Sequence, residues 1–476
     1  MLRSLYVVLV YLAFLALGVV APFVFSLGYV WVDTFNPQRI DYIMLPLFPV
    51  SLVMGAGAVG GYILLDRRSP PPISLFMVLT LALAIWVTLT TAFLAVAPDA
   101  AWAKWDWASK TILFSAFFPF IFRSRIQIEA FLQVYIFSLT IHFVSAAIKT
   151  IFSGGGYGRV LSVAATSGDY GLAEGSTLAA VALMVVPIIF FLRAHTRILP
   201  KSILTDALYA GLVAAAIIGA IGTYARTGLI GMVVVGVAMW IRTSRKITFG
   251  IIGAVAAAAV IYLTSDAWNE RISTIQDYDQ ESSALGRILA WKWTLQFVAS
   301  NPLGGGFDAY RINQIVFPAT ELHPEPLVVY GKAFHSIYFE VLGEHGWIGL
   351  GLFLGLVATT FLTQQVVVRR TRKVKELEWC RELALALQVS LLTMLACGAF
   401  IGIAFQPMFY YLFAISSCLG LHVRRALKSM AESEASARVA RPGARWIEAP
   451  SIRRLAATAE GAVRRKPAGR TWREQP

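Results

Sequence analysis

Apolar runs of about twenty residues recur along the whole chain, and this recurrence constrains the fold more than any motif does. Each run is long enough to cross a hydrocarbon core of roughly 30 Å as a helix. Of the 476 residues, 57% are hydrophobic and 14% charged, against about 25% charged in ordinary soluble domains. The expected class is an all-α, polytopic membrane protein. Arg3 and a long apolar run open the chain, with no small-residue cleavage site behind them. This start reads as a first span and not as a removable signal. Cys380, Cys397 and Cys418 are too few and too deep in apolar sequence for a disulfide framework.

Clusters of Lys and Arg mark the inner side of a membrane protein. They occur at Arg67–Arg68, Arg123/Arg125, Arg193/Arg197/Lys201, Arg242/Arg245/Lys246, Arg369–Lys375 and the C-terminal tail. The spans that fit between them are 5–32, 43–65, 73–97, 106–122, 127–150, 174–193, 204–222, 228–241, 247–264, 346–368, 382–404 and 408–423. This predicts about twelve transmembrane helices with both termini inside; the first run would also suit two short helices with an outside N-terminus. Four regions follow. Residues 1–200 form an N-terminal membrane region and 201–370 a catalytic region, which contains a large, partly helical outer loop at 265–334. Residues 371–424 hold the last spans, and 425–476 a basic cytoplasmic tail too poor in large apolar residues to fold. From Leu421 onward there are 13 Lys/Arg against 5 Asp/Glu. Such a tail suits anionic lipid and gives no sign of nucleic-acid binding.

Unusual polar residues gather at the outer rim. Arg226 lies sixteen residues before Arg242, about 24 Å of helix. It therefore dips into the outer leaflet, where a lone arginine either snorkels to headgroups or binds a partner. Arg287 sits in "GRILAWKW" within the loop, as a surface charge or as a cation folded back over the rim. The apolar run from Trp347 to Val368 already spans the membrane, so the segment His335–His345 is surplus to crossing. His335 there is either a general base or a histidine packed at a helix start beside a capping Ser336. "DYD" at Asp277–Asp279 has the spacing of a metal-binding carboxylate pair, but a bare tripeptide in a polar loop is weak support for a metal. "GGGYGRV" at Gly154–Val160 lacks the Lys-Ser/Thr ending of a phosphate loop.

At these residues the chain resembles the O-antigen ligase family of bacterial inner membranes. The family pattern is His followed by Asn, Ser or Gln, nine residues, then Gly-x-x-Gly. His335-Ser336, the nine residues to His345, and Gly346-Trp-Ile-Gly349 match it. "TYARTG" around Tyr224 and Arg226, and "GRILAWKW…NPLGGGF" with Arg287, Pro302 and Gly305, resemble the family's two arginine settings. "TFNPQRIDY" at 35–43 is similar to the branch of exosortase-associated O-glycosylation ligases. The resemblance implies metal- and cofactor-independent, inverting transfer of a glycan from undecaprenyl pyrophosphate to a glycolipid, glycan or protein hydroxyl at the periplasmic face. It implies His335 as the base and Arg226 and Arg287 as pyrophosphate ligands. Glu340 or Glu344 could orient the imidazole, and Tyr224 could support Arg226. A repeat-unit polymerase shares the motif and is the first alternative. A lipid-linked glycan transporter is the second, but the paired broken helices expected of one are not evident.

Overall fold

A computed structural model describes residues 2–40, 45–154, 172, 174–242, 246–247, 250–251, 282–318 and 325–439. It is mainly helical, as expected. The main helices are α1 (Leu2–Val20), α2 (Phe23–Phe35), α3 (Val50–Leu65), α4 (Leu75–Leu94), α5 (Pro98–Ile121), α6 (Arg125–Ser153) and α7 (Gly175–His195). They continue as α8 (Ile203–Gly222), α9 (Arg226–Arg242), α10 (Ser282–Ser300), α11 (Ile337–Thr371), α12 (Glu378–Gly398) and α13 (Pro407–Val439). Strands β1 (Gln314–Phe317) and β2 (Leu327–Tyr330) form an antiparallel pair with Gln314 opposite Tyr330 and Phe317 opposite Leu327. The sequence reading had no strands, and this small sheet corrects it. Met1–Arg424 forms one compact unit.

Helix starts are set locally. Ser74, Ser124 and Ser202 each accept a backbone N–H at an N-cap, and Ser124 forms a reciprocal capping box with Gln127. Among the described residues, six helices are long and apolar enough to cross a membrane: α4, α6, α7, α8, α11 and Lys375–Gly398. Several expected spans take other forms. The run 5–32 breaks at Pro22 into α1 and α2, because proline cannot continue the helical ladder. The span placed at 43–65 shortens to α3, and that at 228–241 is the 17-residue α9. The span at 247–264 lies almost wholly outside the described residues.

α7 is apolar on every side and buried along nearly its full length, as a helix in the middle of a bundle must be. It packs against α6, α8, α9 and α12. Close approaches at glycines fix the direction of its neighbours. A Cβ on Gly228 would lie 3.4 Å from Ala179, and one on Gly231 would meet Leu183 at 2.7 Å. α7 and α9 therefore run in parallel. Cys397 at the end of α12 donates to Thr227 O at 3.4 Å, and Gly398 abuts Ile337 at the start of α11. One end of the bundle thus collects the starts of α7, α9 and α11 and the end of α12. The opposite end collects basic residues: Arg123 Nη1 donates to Ser69 O at 2.8 Å and Arg125 Nη2 to His195 O at 3.0 Å.

The amino-terminal run takes the alternative form of two short helices, with the chain starting away from the basic side. Gly18 of α1 abuts Phe25 of α2, Gly28 of α2 abuts Phe14 of α1, and Gly61 near the end of α3 abuts Pro22. α1 and α2 are an antiparallel hairpin whose tip faces the end of α3, next to Asp66 and Arg68. The first helix therefore begins at the end opposite the basic clusters.

Candidate active site

The described part of residues 265–334 packs against the start of α11. In α10, Trp291 donates its indole N–H to Phe334 O at 2.8 Å, and its ring stacks on Phe339 with centroids 5.0 Å apart. Arg287 lies one helical turn before Trp291, on the same face. Its Nε is buried and has no hydrogen-bond partner among the described residues. Lys332 packs beside Gly286, where an added Cβ would come within 3.3 Å of Nζ. The backbone of Lys332 is held at both ends by Asn313: Lys332 N donates to Oδ1 at 2.8 Å, and Nδ2 donates to Lys332 O at 2.7 Å. Arg287 and Lys332 are thus brought together by α10 and the loop.

His335 follows three residues later, with φ at +48°. This left-handed conformation is uncommon outside glycine and is a feature of constrained sites. Ser336 takes the N-cap position of α11, yet its side chain makes no capping bond; its carbonyl accepts Glu340 N at 2.8 Å. The expected capping by Ser336 is therefore corrected to a backbone contact. Burial, and then the positive charges of Arg287 and Lys332, push the imidazole of His335 down to about 4, opposed by Glu174 at the start of α7. Burial and Arg287 lower Lys332 in turn. These two shifts report one shared field around Arg287, Lys332 and His335.

Glu340 and Glu344 do not orient His335. They lie four apart on one face of α11 and both reach Lys104 of α5, at 2.7 and 2.8 Å. Asp308 Oδ1 is 3.6 Å from the same ammonium, and all four groups are buried. The remaining bonds of the carboxylates go to the backbone. Glu344 Oε1 accepts Asp308 N at 2.9 Å, and Glu340 Oε2 accepts Ala404 N at 2.9 Å. This network ties α5, α11, the outer loop and the α12–α13 turn together. The second histidine of the segment, His345, belongs to the packing: Nδ1 is 2.7 Å from Thr90 Oγ1, and its ring meets Phe307 and Phe405 edge-on.

The motif glycines have a steric reason. Gly346 interrupts α11 with φ +64° and ψ −164°, a conformation essentially restricted to glycine. A Cβ there would come within 2.2 Å of Pro302 O. The Pro302–Gly306 turn slots into the break: Trp347 N donates to Pro302 O at 3.1 Å and Gly305 N to Gly343 O at 3.1 Å. Gly349 is needed because a Cβ there would meet His345 Cβ at 2.3 Å. The two sequence patterns, around Pro302 and around Gly346, are therefore two halves of one joint.

Arg226 is half-buried and opens α9. Its turn is fixed by Thr223, whose hydroxyl donates to Ala220 O at 2.7 Å and accepts Ala225 N at 3.2 Å. Tyr224 has φ +51° and gives its hydroxyl to Gly154 O. It thus joins the turn to the end of α6. Thr227 meets α12 at Cys397, and the next residue of α12, Gly398, meets α11 at Ile337. Arg226 and His335 therefore stand at the same end of the bundle, on either side of the end of α12. Asp277–Asp279 and residues 155–160 of "GGGYGRV" lie outside the described residues.

Residues 210–354 match the family described as O-antigen ligase. That stretch is an O-antigen ligase domain. It covers α9, α10, the strand pair and the first part of α11, so it contains Arg226, Arg287, Lys332 and His335. Residues 2–197 match a family of unknown function (DUF5935). No curated protein matches the chain. The O-antigen ligase match, with six apolar helices of spanning length among the described residues, supports a membrane protein with a glycan-processing function of the ligase or polymerase type. The exosortase-associated branch has no further support.

Proposed function

We propose that the O-antigen ligase domain transfers a glycan from an undecaprenyl pyrophosphate carrier to an acceptor hydroxyl on the periplasmic side. The observation that carries this reading is the meeting of His335 with two cations, one of which has a buried N–H with no hydrogen-bond partner among the described residues. In the step, the acceptor oxygen attacks the anomeric carbon and the bond from that carbon to the pyrophosphate oxygen breaks. The bonding pair leaves on the pyrophosphate, the hydroxyl proton passes to the imidazole of His335, and the anomeric configuration inverts. Arginine binds phosphate oxygens through two parallel N–H bonds, and such bonds strengthen as leaving-group charge develops. Arg287 and Lys332 serve that role at the loop, and Arg226 approaches from α9. Burial keeps His335 neutral, which is the form a base needs. Lys104 holds Glu340 and Glu344 in place and takes no part in the proton transfer.

The test is transfer by the purified protein from a lipid-linked glycan to glycolipid, protein and glycan acceptors. Glycan moved once to a foreign acceptor marks a ligase, and a ladder of repeats on the carrier marks a polymerase. Release of carrier pyrophosphate that does not depend on His335 would defeat the reading.

A further inference from the structure

A second feature lies at the basic end of the bundle, away from the O-antigen ligase site. α4, α11 and α13 enclose a lateral groove of about 360 Å³. Its wall is apolar, with Leu362 and Leu421 among the lining side chains, and Arg370 and Arg424 stand in the same lining. Ser74 and Ser417, with hydroxyls 3.3 Å apart, join α4 to α13 beside it. Both arginines are exposed, and neither meets a carboxylate among the described residues. Two guanidinium groups over an apolar slot between membrane helices are complementary to one ligand shape, a phosphate with an attached acyl chain.

We infer that this groove is a binding site for an anionic phospholipid, with the phosphate between Arg370 and Arg424 and an acyl chain along Leu362 and Leu421. The occupant is a lipid and not a soluble anion, because the slot is lined mainly by apolar atoms. A basic residue near an anionic lipid surface contributes about 1 kcal/mol, so two together correspond to about thirtyfold in affinity. The site does not depend on the glycosyl-transfer reading.

The experiment is native mass spectrometry of the full chain in detergent, titrated with phosphatidylglycerol or phosphatidylcholine. The wild type should retain phosphatidylglycerol in preference to phosphatidylcholine. The Arg370→Gln/Arg424→Gln variant should lose that preference by about thirtyfold. The control Arg369→Gln/Arg372→Gln, which removes the same charge just outside the groove, should keep it. Thr359→Phe, which narrows the groove but leaves both arginines, should weaken retention of both lipids. Equal loss in the control pair would show a general surface attraction and overturn the site. Displacement of the lipid by inorganic phosphate, or no effect of Thr359→Phe, would reduce it to a bare anion site and overturn the lipid assignment.

Discussion

The strongest energetic prediction concerns Lys104. Its ammonium lies 2.7 and 2.8 Å from Glu340 and Glu344, and Glu344 is fully buried. Replacing Lys104 by Met keeps most of the volume and removes the charge. Asp308 would keep Arg311, 3.1 Å away, but Glu340 and Glu344 would remain buried without a counter-ion, and breaking one partner out of such a pair costs about 3–5 kcal/mol. The same loss should not follow if the carboxylates go as well. Lys104→Met/Glu340→Gln/Glu344→Gln replaces the ions with neutral groups of similar shape, and such replacements are often near neutral. Equilibrium unfolding in mixed micelles would measure both. The single variant should lose about 3–5 kcal/mol, and the triple variant should recover most of it. Because Glu344 also holds Asp308 N and Glu340 holds Ala404 N, proteolysis of the outer loop should speed up in the single variant. A single variant within about 0.5 kcal/mol of wild type would refute the claim that this cluster needs its cation.

Three further outcomes follow from the site. His335→Gln should lower turnover by about 10²–10⁴-fold, the usual worth of a general base, while binding of the lipid-linked donor, followed by photocrosslinking, stays near wild type. Gly346→Ala should destabilise the fold and impair activity, since the new methyl would meet Pro302 O in a backbone conformation that alanine resists; circular dichroism melts in detergent would check it. Arg287→Gln should weaken donor binding and, by removing a cation from the field on His335, raise the acid limb of kcat/KM toward the ordinary histidine range; an unmoved limb would disconnect Arg287 from the imidazole.

Spacing carried the helices and the motif. The helical repeat of "ALGRILAWKWTLQFVAS" gave α10, and the His335–Gly349 pattern named the place where the loop and α11 join. Lys104 was illegible, because it lies 236 residues from Glu340 and sits in "AWAKWDWASK", at the joint between the expected spans 73–97 and 106–122. A signal did exist on the other partner: Glu340 and Glu344 are one helical turn apart and so share a face. That spacing asks for a common cation more readily than for a histidine five residues upstream. Lys332 entered no motif, because only the packing of α10 brings Arg287 beside it. The strand pair had its own cue in the β-branched "QIVF" and "LVVY". The split at Pro22 was open in the sequence, since nineteen and thirteen residues fit two short helices as well as one long bent span.

The field around His335 has a consequence for the order of events. In the free protein, burial and two cations hold the imidazole down to about 4, so it is neutral at pH 7 and is also a weak base. The sign follows from linkage: the unfolded chain takes up a proton near 6.5 while the folded chain does not, so this group makes the fold less stable as the pH falls from about 6.5 to about 4. A bound pyrophosphate would place negative charge against Arg287 and Lys332 and cancel the field that depresses the imidazole. Its pKa then rises, and the base strengthens only when the leaving group is in place. Free-enzyme ionisation governs kcat/KM and complex ionisation governs kcat. The acid limb of kcat should therefore lie at higher pH than that of kcat/KM, and Lys332→Gln should raise the acid limb of kcat/KM, because one of the cations that depress the imidazole is gone. Coincident limbs in the wild type would mean that the donor's pyrophosphate does not rest between these two cations.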